Sequence, residues 1–180
     1  MPLHKMVRVV ENEQRDKGAA EKNLLRSIEV CEKIGRAADE DRGRALCELG
    51  LVKKEFGNLK KAEECLQQAL RLYKAAAGPA DWFTLNITDE LIKVKIERKE
   101  FDSISPLLDS ILQNYELHFA KDVLNRPGKP HDSAANRVNS IYKSLKSLSN
   151  LSPEQETQRL KFYRIMESWF ASRDLAPQKE

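Results

Sequence analysis

The spacing of small and large apolar residues over positions 44–77 leaves this chain few choices of fold. Leu46, Leu49, Gly50, Ala62, Leu66, Ala69, Leu70 and Leu72 recur at the three- and four-residue steps of one helix face, interrupted at Gly57-Asn58. Gly50, Ala62 and Ala69 stand where two antiparallel helices must approach closely, and the leucines stand where they interlock. The phase repeats at 42 residues. From Gly50, Leu59, Leu66 and Leu70 the step lands on Ile92, Phe101, Leu108 and Leu112; backwards from Ala62, Leu66, Leu70 and Leu72 it lands on Ala20, Leu24, Ile28 and Val30.

Leu49-Gly50 in the first helix and Ala62 with Ala69 in the second reproduce the L-G and A-x₆-A of the tetratricopeptide repeat, a helix pair of about 34 residues, which this segment resembles. The longer spacing here is similar to the variety found in kinesin light chains, where Gly-Pro or Gly-Lys stretches lengthen the turns between repeats. Residues 77–81 and 127–132 hold such stretches, and the second arrives eight residues late. With that shift, Val138, Ile141, Tyr142, Leu145, Leu148 and Leu151 take the buried positions of a fourth first-helix. The resemblance implies an all-α fold of about eight helices stacked into a short right-handed superhelix. It implies one domain over 1–174, with repeats near 3–36, 42–77, 83–124 and 133–172, the first and last being atypical caps, and a frayed tail at 175–180.

Composition agrees with an all-α chain. Seven glycines, seven prolines and no run of alternating β-branched residues leave little room for a sheet. A hydrophobic share of 41% with 33% charged residues suits a packed array that can bury a core. The net charge of +3 gives the whole molecule no strong field. The charge is concentrated, however: Lys121, Arg126, Lys129, Arg137, Lys143 and Lys146 face only Asp122 and Asp132 within 121–146, a local +4. Either a solvated face or a docking surface for an acidic partner follows. Cys31, Cys47 and Cys65 are odd in number and lack metal-ligand spacing, which points to a reducing, cytoplasmic setting. Neither a signal-like apolar start nor a run of about 18 apolar residues occurs, so no membrane partner is expected.

Along the chain, Leu3, Met6, Val7 and Val10 mark a first helix ending near Asp16-Lys17-Gly18, with Arg8 at its closely packed position. Ala20, Leu24, Ile28 and Cys31 mark a second helix ending near Gly35. After the strong pair, a fifth helix starts at Trp82 or Phe83. A sixth is capped by Asp102 or Ser103, with Pro106 in its first turn, and continues through Phe119 toward Val123. A seventh spans about 133–148. Ser152-Pro153-Glu154-Gln155 forms a capping box opening an eighth helix that runs to about Ser172. That helix carries Leu160, Phe162, Tyr163, Ile165, Met166, Trp169 and Phe170, a stripe wide enough to close the array or to dock a second copy as a homodimer.

The resemblance also implies which side chains point into a concave groove. In the second repeat these are Arg44, Cys47, Leu51 and Lys54; in the third Asn86, Asp89, Lys93 and Ile96; in the shifted fourth Asn136, Asn139, Lys143 and Lys146. Asparagine can bond both the N–H and the C=O of an extended peptide, and lysine attracts its carboxylates. Glu48, Asp89 and Glu90 occupy places where a grip on a C-terminal carboxylate would need basic or amide groups, so a chaperone-tail receptor is disfavoured.

A case for chemistry is thin. His4, His118 and His131 are scattered, and no H-x-x-x-H, G-x-S-x-G or Gly-rich phosphate loop is present, so no cofactor, metal or catalytic residue is expected. Glu63 and Glu64 beside Lys60 and Lys61 read as ordinary helix pairing. The leading expectation is a non-catalytic adaptor that binds an extended or acidic peptide segment of another protein. The alternative is a nucleic-acid accessory using Arg126, Lys129, Arg137, Lys143 and Lys146 with Tyr142 as a stacking surface.

Overall fold

The structure is a computed structural model that describes the backbone of residues 3–125 and 131–172, and the side chains within them save 3–17, 116, 118–125 and 131–134. All regular structure in these residues is helical: α1 (Leu3–Ile34), α2 (Asp39–Glu55), α3 (Leu59–Ala77), α4 (Trp82–Glu97), α5 (Ser105–Asn125), α6 (His131–Lys146) and α7 (Pro153–Ala171), with single 3₁₀ turns before α2 and α5. The chain divides into two compact units, residues 1–76 and 77–180.

The expected first two helices are one. α1 runs without interruption through Asp16-Lys17-Gly18, so the described residues hold seven α-helices where about eight were expected. The expected break rested on Gly18, but a single glycine inside a helix costs only about 1 kcal/mol, and neither a proline nor a capping side chain follows it to divert the chain. Gly35 does end the helix: its φ of +82° is the left-handed conformation that a glycine supplies without strain. The stripe at Leu3, Met6, Val7 and Val10, the loop at 127–130 and the tail at 175–180 lie outside the described residues.

In the first unit α2 packs on α1 and pairs with α3. Two cross-links join α1 to α2, Lys53 to Glu21 and Arg42 to Glu32. The pairing with α3 rests on glycines. A Cβ placed on Gly50 would sit 2.9 Å from Leu66 Cγ and 3.2 Å from the Ala62 carbonyl oxygen, and one on Gly43 would sit 2.9 Å from Tyr73 Cδ2. The helices therefore touch backbone to side chain, and Arg44 Nε adds a hydrogen bond to the Tyr73 hydroxyl at 3.0 Å. Gly57, at φ +72°, makes the turn, and Asn58 Oδ1 accepts from Lys61 N to start α3.

The second unit holds a continuous core. Leu85, Ile92 and Ile96 of α4 meet Ile104, Leu108, Ile111 and Tyr115, while Val138, Ile141 and Leu145 of α6 meet Phe162, Met166, Trp169 and Phe170 of α7. Phe101 stacks on Phe162 with ring centres 6.1 Å apart. Asp81 caps α4, its Oδ1 accepting from Phe83 N at 2.8 Å and Thr84 N at 3.3 Å. The capping box at Ser152 is complete: Gln155 N donates to Ser152 Oγ at 3.2 Å, and Ser152 N donates to Gln155 Oε1 at 3.1 Å. Lys99, itself left-handed at φ +59°, donates its ammonium to the carbonyls of Ser149 and Asn150, tying the α4–α5 turn to the α6–α7 turn. Helix α7 spends its apolar stripe on this core, and among its large apolar side chains only Leu160 stands exposed.

Two glycine substitutions separate close packing from helix propensity. Gly50→Ala should lower stability to urea by about 1–2 kcal/mol, because overpacking outweighs the propensity gain. Gly18→Ala, whose Cβ meets nothing within 4 Å, should raise stability by up to about 1 kcal/mol in the same circular dichroism titration.

Candidate functional site

Once α6 has turned Val138, Ile141 and Leu145 into the core, its opposite face is polar. Asn136, Asn139, Ser140, Lys143, Ser144 and Ser147 line a depression of about 440 Å³ along the helix. Three of these are expected groove residues, Asn136, Asn139 and Lys143; Lys146 is exposed farther along α6. The serines keep the face low. Ser144 Oγ donates to the Ser140 carbonyl at 3.0 Å and Ser147 Oγ to the Ser144 carbonyl at 2.9 Å, so both hydroxyls give their hydrogen to the backbone and keep acceptor capacity. Asn139 is mostly buried at one edge of the depression, and Asn136 and Lys143 are exposed.

Helix α4 contacts α6 and carries the other expected cluster. Asn86 is half-buried there. Asp89 is only 3% exposed, and Lys93 binds its Oδ2 at 2.8 Å while reaching Glu90 Oε1 at 3.0 Å. From α6, Arg137 Nη1 lies 4.0 Å from the same Asp89 oxygen. Asp89 Oδ1 has no hydrogen-bond donor among the described residues. Ile96 faces the core with none of its surface exposed, which removes it from the expected groove set. Its place at the last turn of α4 sets it over Phe101 and α5, and an isoleucine there is worth about 1.5–3 kcal/mol when buried.

The electrostatics of this cluster are lopsided. Burial pushes the Asp89 carboxyl above its ordinary range despite the nearby cations Lys93 and Arg137. Burial also opposes the charge on Lys93, but Asp89 and Glu90 together more than reverse this, so the ammonium titrates above its ordinary value. The difference follows depth: 5% of the Asp89 side chain is exposed against 15% for Lys93. Burial likewise pushes the Tyr115 hydroxyl up, reinforced by Asp89.

In the first unit the expected residues scatter. Arg44 is exposed and engaged with Tyr73, Leu51 and Lys54 are half-buried, and Cys47 is buried at 5% exposure. Covered by α1 on one flank and α3 on another, α2 presents only a narrow strip through Glu40, Arg44, Glu48 and Glu55. Sequence reasoning singled out neither Trp82 nor Arg137 for the groove, yet Arg137 lies 4.0 Å above the Trp82 ring. The residues are 55 apart in the chain, so no local pattern announces their contact. Of the residues suggested for stacking nucleic acid, Tyr142 is half-buried against Tyr163 with ring centres 4.6 Å apart. Arg126 and Lys129, like the side chains of Lys121, His4, His118 and His131, lie outside the described residues.

The sign of Asp89's linkage is testable. Its folded pKa lies above the ordinary 3.8, so the native state favours the protonated acid and the charge costs stability at neutral pH. That cost is removed as pH falls through the raised folded pKa. The stability of Asp89→Asn minus that of the parent should therefore be largest near neutrality and shrink on acidification toward pH 4, followed by urea unfolding at each pH; a difference that grows instead would show that the cations win.

A search of the curated proteins finds no match to the chain. Residues 9–75, covering most of α1 and all of α2 and nearly all of α3, match the family model described as Tetratricopeptide repeat. Such repeats generally mediate protein–protein interaction and scaffolding, and are typically non-catalytic. Helices packed in adjacent pairs, the Gly50 contact with Ala62 and Leu66, and this match together make residues 9–75 similar to the tetratricopeptide repeat.

Proposed function

We propose that this protein is an interaction adaptor that holds a peptide segment of another protein against the polar face of α6, and that it catalyses no reaction. The observation that carries the reading is the depression itself, which brings Asn136, Asn139 and Lys143 together with Ser140, Ser144 and Ser147 on one face. Small serines let a peptide backbone approach, asparagine offers donor and acceptor to an amide, and lysine attracts an acidic side chain. Among the described residues no large apolar side chain lines the depression. Affinity would come from many polar contacts and from charge, the pattern of a reversible scaffold contact. Three free cysteines, two of them buried, fit work in a reducing compartment such as the cytoplasm.

The test is a peptide selected from a random displayed library for binding to the full chain. It should shift the amide resonances of residues 136–147 in a nuclear magnetic resonance titration. Lys143→Glu combined with Lys146→Glu should weaken it by about tenfold or more at low salt, because both changes reverse a charge on this helix. Unchanged binding by the double variant would remove α6 from the site.

A further inference from the structure

Three helices of the second unit converge on one guanidinium. Arg137 leaves α6 with its guanidinium carbon 4.0 Å from the centre of the Trp82 ring, which belongs to the first turn of α4. Its Nη1 lies 4.0 Å from Asp89 Oδ2, farther along α4, and both charges bear on the buried Tyr115 hydroxyl of α5. At 4.0 Å the pair with Asp89 is a Coulombic contact and not a hydrogen bond, since Oδ2 already takes the Lys93 ammonium at 2.8 Å. Asp89 thus orients the fork without taking a hydrogen bond from it, while the Tyr115 hydroxyl engages one of its N–H donors and leaves the others. Trp82 holds the plane from below while staying 42% exposed, and 16% of the Arg137 side chain reaches the surface.

Arg137 does not line the α6 depression but adjoins it in helical register. Arg137, Ser140 and Ser144 follow one another at i, i+3 and i+7, a single stripe of the helix, and Lys143 stands on the adjoining one. Every charged residue of α6 whose side chain is described is basic: Arg137, Lys143 and Lys146. On α4, Asp89 and Glu90 are both engaged by Lys93, and the third acid, Glu97, is exposed at the far end of the helix. The face is therefore complementary to negative charge, and one of its cations is planar, stacked and held in place.

We propose that Arg137 is the anchoring residue of this face and that the partner segment is acidic, with one carboxylate received edge-on by the Arg137 fork and a second drawn to Lys143. Resting on the adaptor reading, this names the chemistry of its ligand. A planar fork suits a carboxylate because two parallel N–H donors meet two oxygens. Residues 137 and 143 are about 9 Å apart along the helix axis, a distance that acidic residues two or three apart span in an extended chain. The ligand is thus a short extended segment with two such acids, and Trp82 and Asp89 are positioning residues for the guanidinium.

The experiment selects random dodecapeptides displayed on phage against the full chain, then measures one winner, synthesised with a fluorescein label, by fluorescence anisotropy. Winners should carry two Asp or Glu residues two or three apart. Arg137→Gln and Arg137→Lys should each weaken the labelled peptide by about tenfold or more, because lysine keeps the charge but lacks the fork. Lys143→Gln, at an exposed position that a folding defect would not involve, should weaken it by a smaller factor. Winners without an acidic pair, or full affinity in Arg137→Lys, would overturn the proposal and leave the peptide-binding face standing. Failure of the parent chain to enrich any peptide would remove both. Tighter binding of an oligothymidylate than of any selected peptide would overturn the acidic-peptide assignment in favour of a phosphate backbone.

Discussion

The contact on which the first unit depends is the one that a side chain at Gly50 would prevent. At that position the leucine and the carbonyl of the facing helix approach to a distance that leaves no room for a methyl group, and the same holds where Gly43 meets the Tyr73 ring. Close approach lets Leu46, Leu49, Leu66 and Ala69 bury almost completely between two helices that are individually too short and too polar to be stable alone. Once the pair is closed, the exposed arc of each helix narrows. That arithmetic explains why α2, flanked by α1 and α3, has so little surface to offer and why Cys47 ends inside.

The second unit applies the same economy with a different remainder. Its core takes one stripe of α6 and almost the whole apolar side of α7, locked by the Phe101–Phe162 stack and by Lys99 across the two turns. A helix held by Val138, Ile141 and Leu145, with Ala135 and Tyr142 packed beside them, leaves the side opposite the core to polar residues. On α6 that remainder is filled with asparagine, serine and lysine. Serine is a poor choice for stabilising a helix interior, since its hydroxyl competes for backbone carbonyls, and here Ser144 and Ser147 do bond back to carbonyls one turn earlier. What they contribute is a low surface studded with acceptors.

Local patterns match the structure at most helix ends but not at the expected cap by Asp102 or Ser103: these lie in the 3₁₀ turn before α5, where Ser103 Oγ donates to the Glu100 carbonyl and Asp102 accepts from Gln158. The Ser152 capping box, the turn at Gly57-Asn58, the end of α1 at Gly35 and the start of α4 at Trp82 each depend on residues within about four positions of one another. Gly18 misled because glycine is permissive and not prohibitive; the helix passes through it when nothing nearby offers the backbone a better bond. The shared face of the proposed site was legible for the same reason. Asn136, Asn139 and Lys143 share a face by helical periodicity alone, whereas burial of Asp89 and Ile96 depends on which neighbouring helix leans against α4. The Arg137–Trp82 stack joins positions far apart in sequence and is decided by tertiary packing.

The buried carboxylate sharpens the meaning of that stack. Asp89 is paired with Lys93 and faced by Arg137, yet burial still outweighs their attraction and raises its pKa, and its second oxygen has no hydrogen-bond donor among the described residues. A pair of this kind contributes little net stability, and an apolar substitute of similar volume is often better by about 1–4 kcal/mol. Stability therefore does not account for a carboxylate at this position. Orientation does: a negative charge fixed beneath the α4–α6 seam, together with an aromatic face at the start of α4, confines an otherwise flexible arginine to one plane beside the depression. A guanidinium so confined loses less conformational entropy when a ligand binds than a lysine free to sweep its four-carbon chain. On the proposed adaptor reading, the electrostatic cost carried by α4 is recovered as selectivity on α6, and the two helices act as one recognition surface.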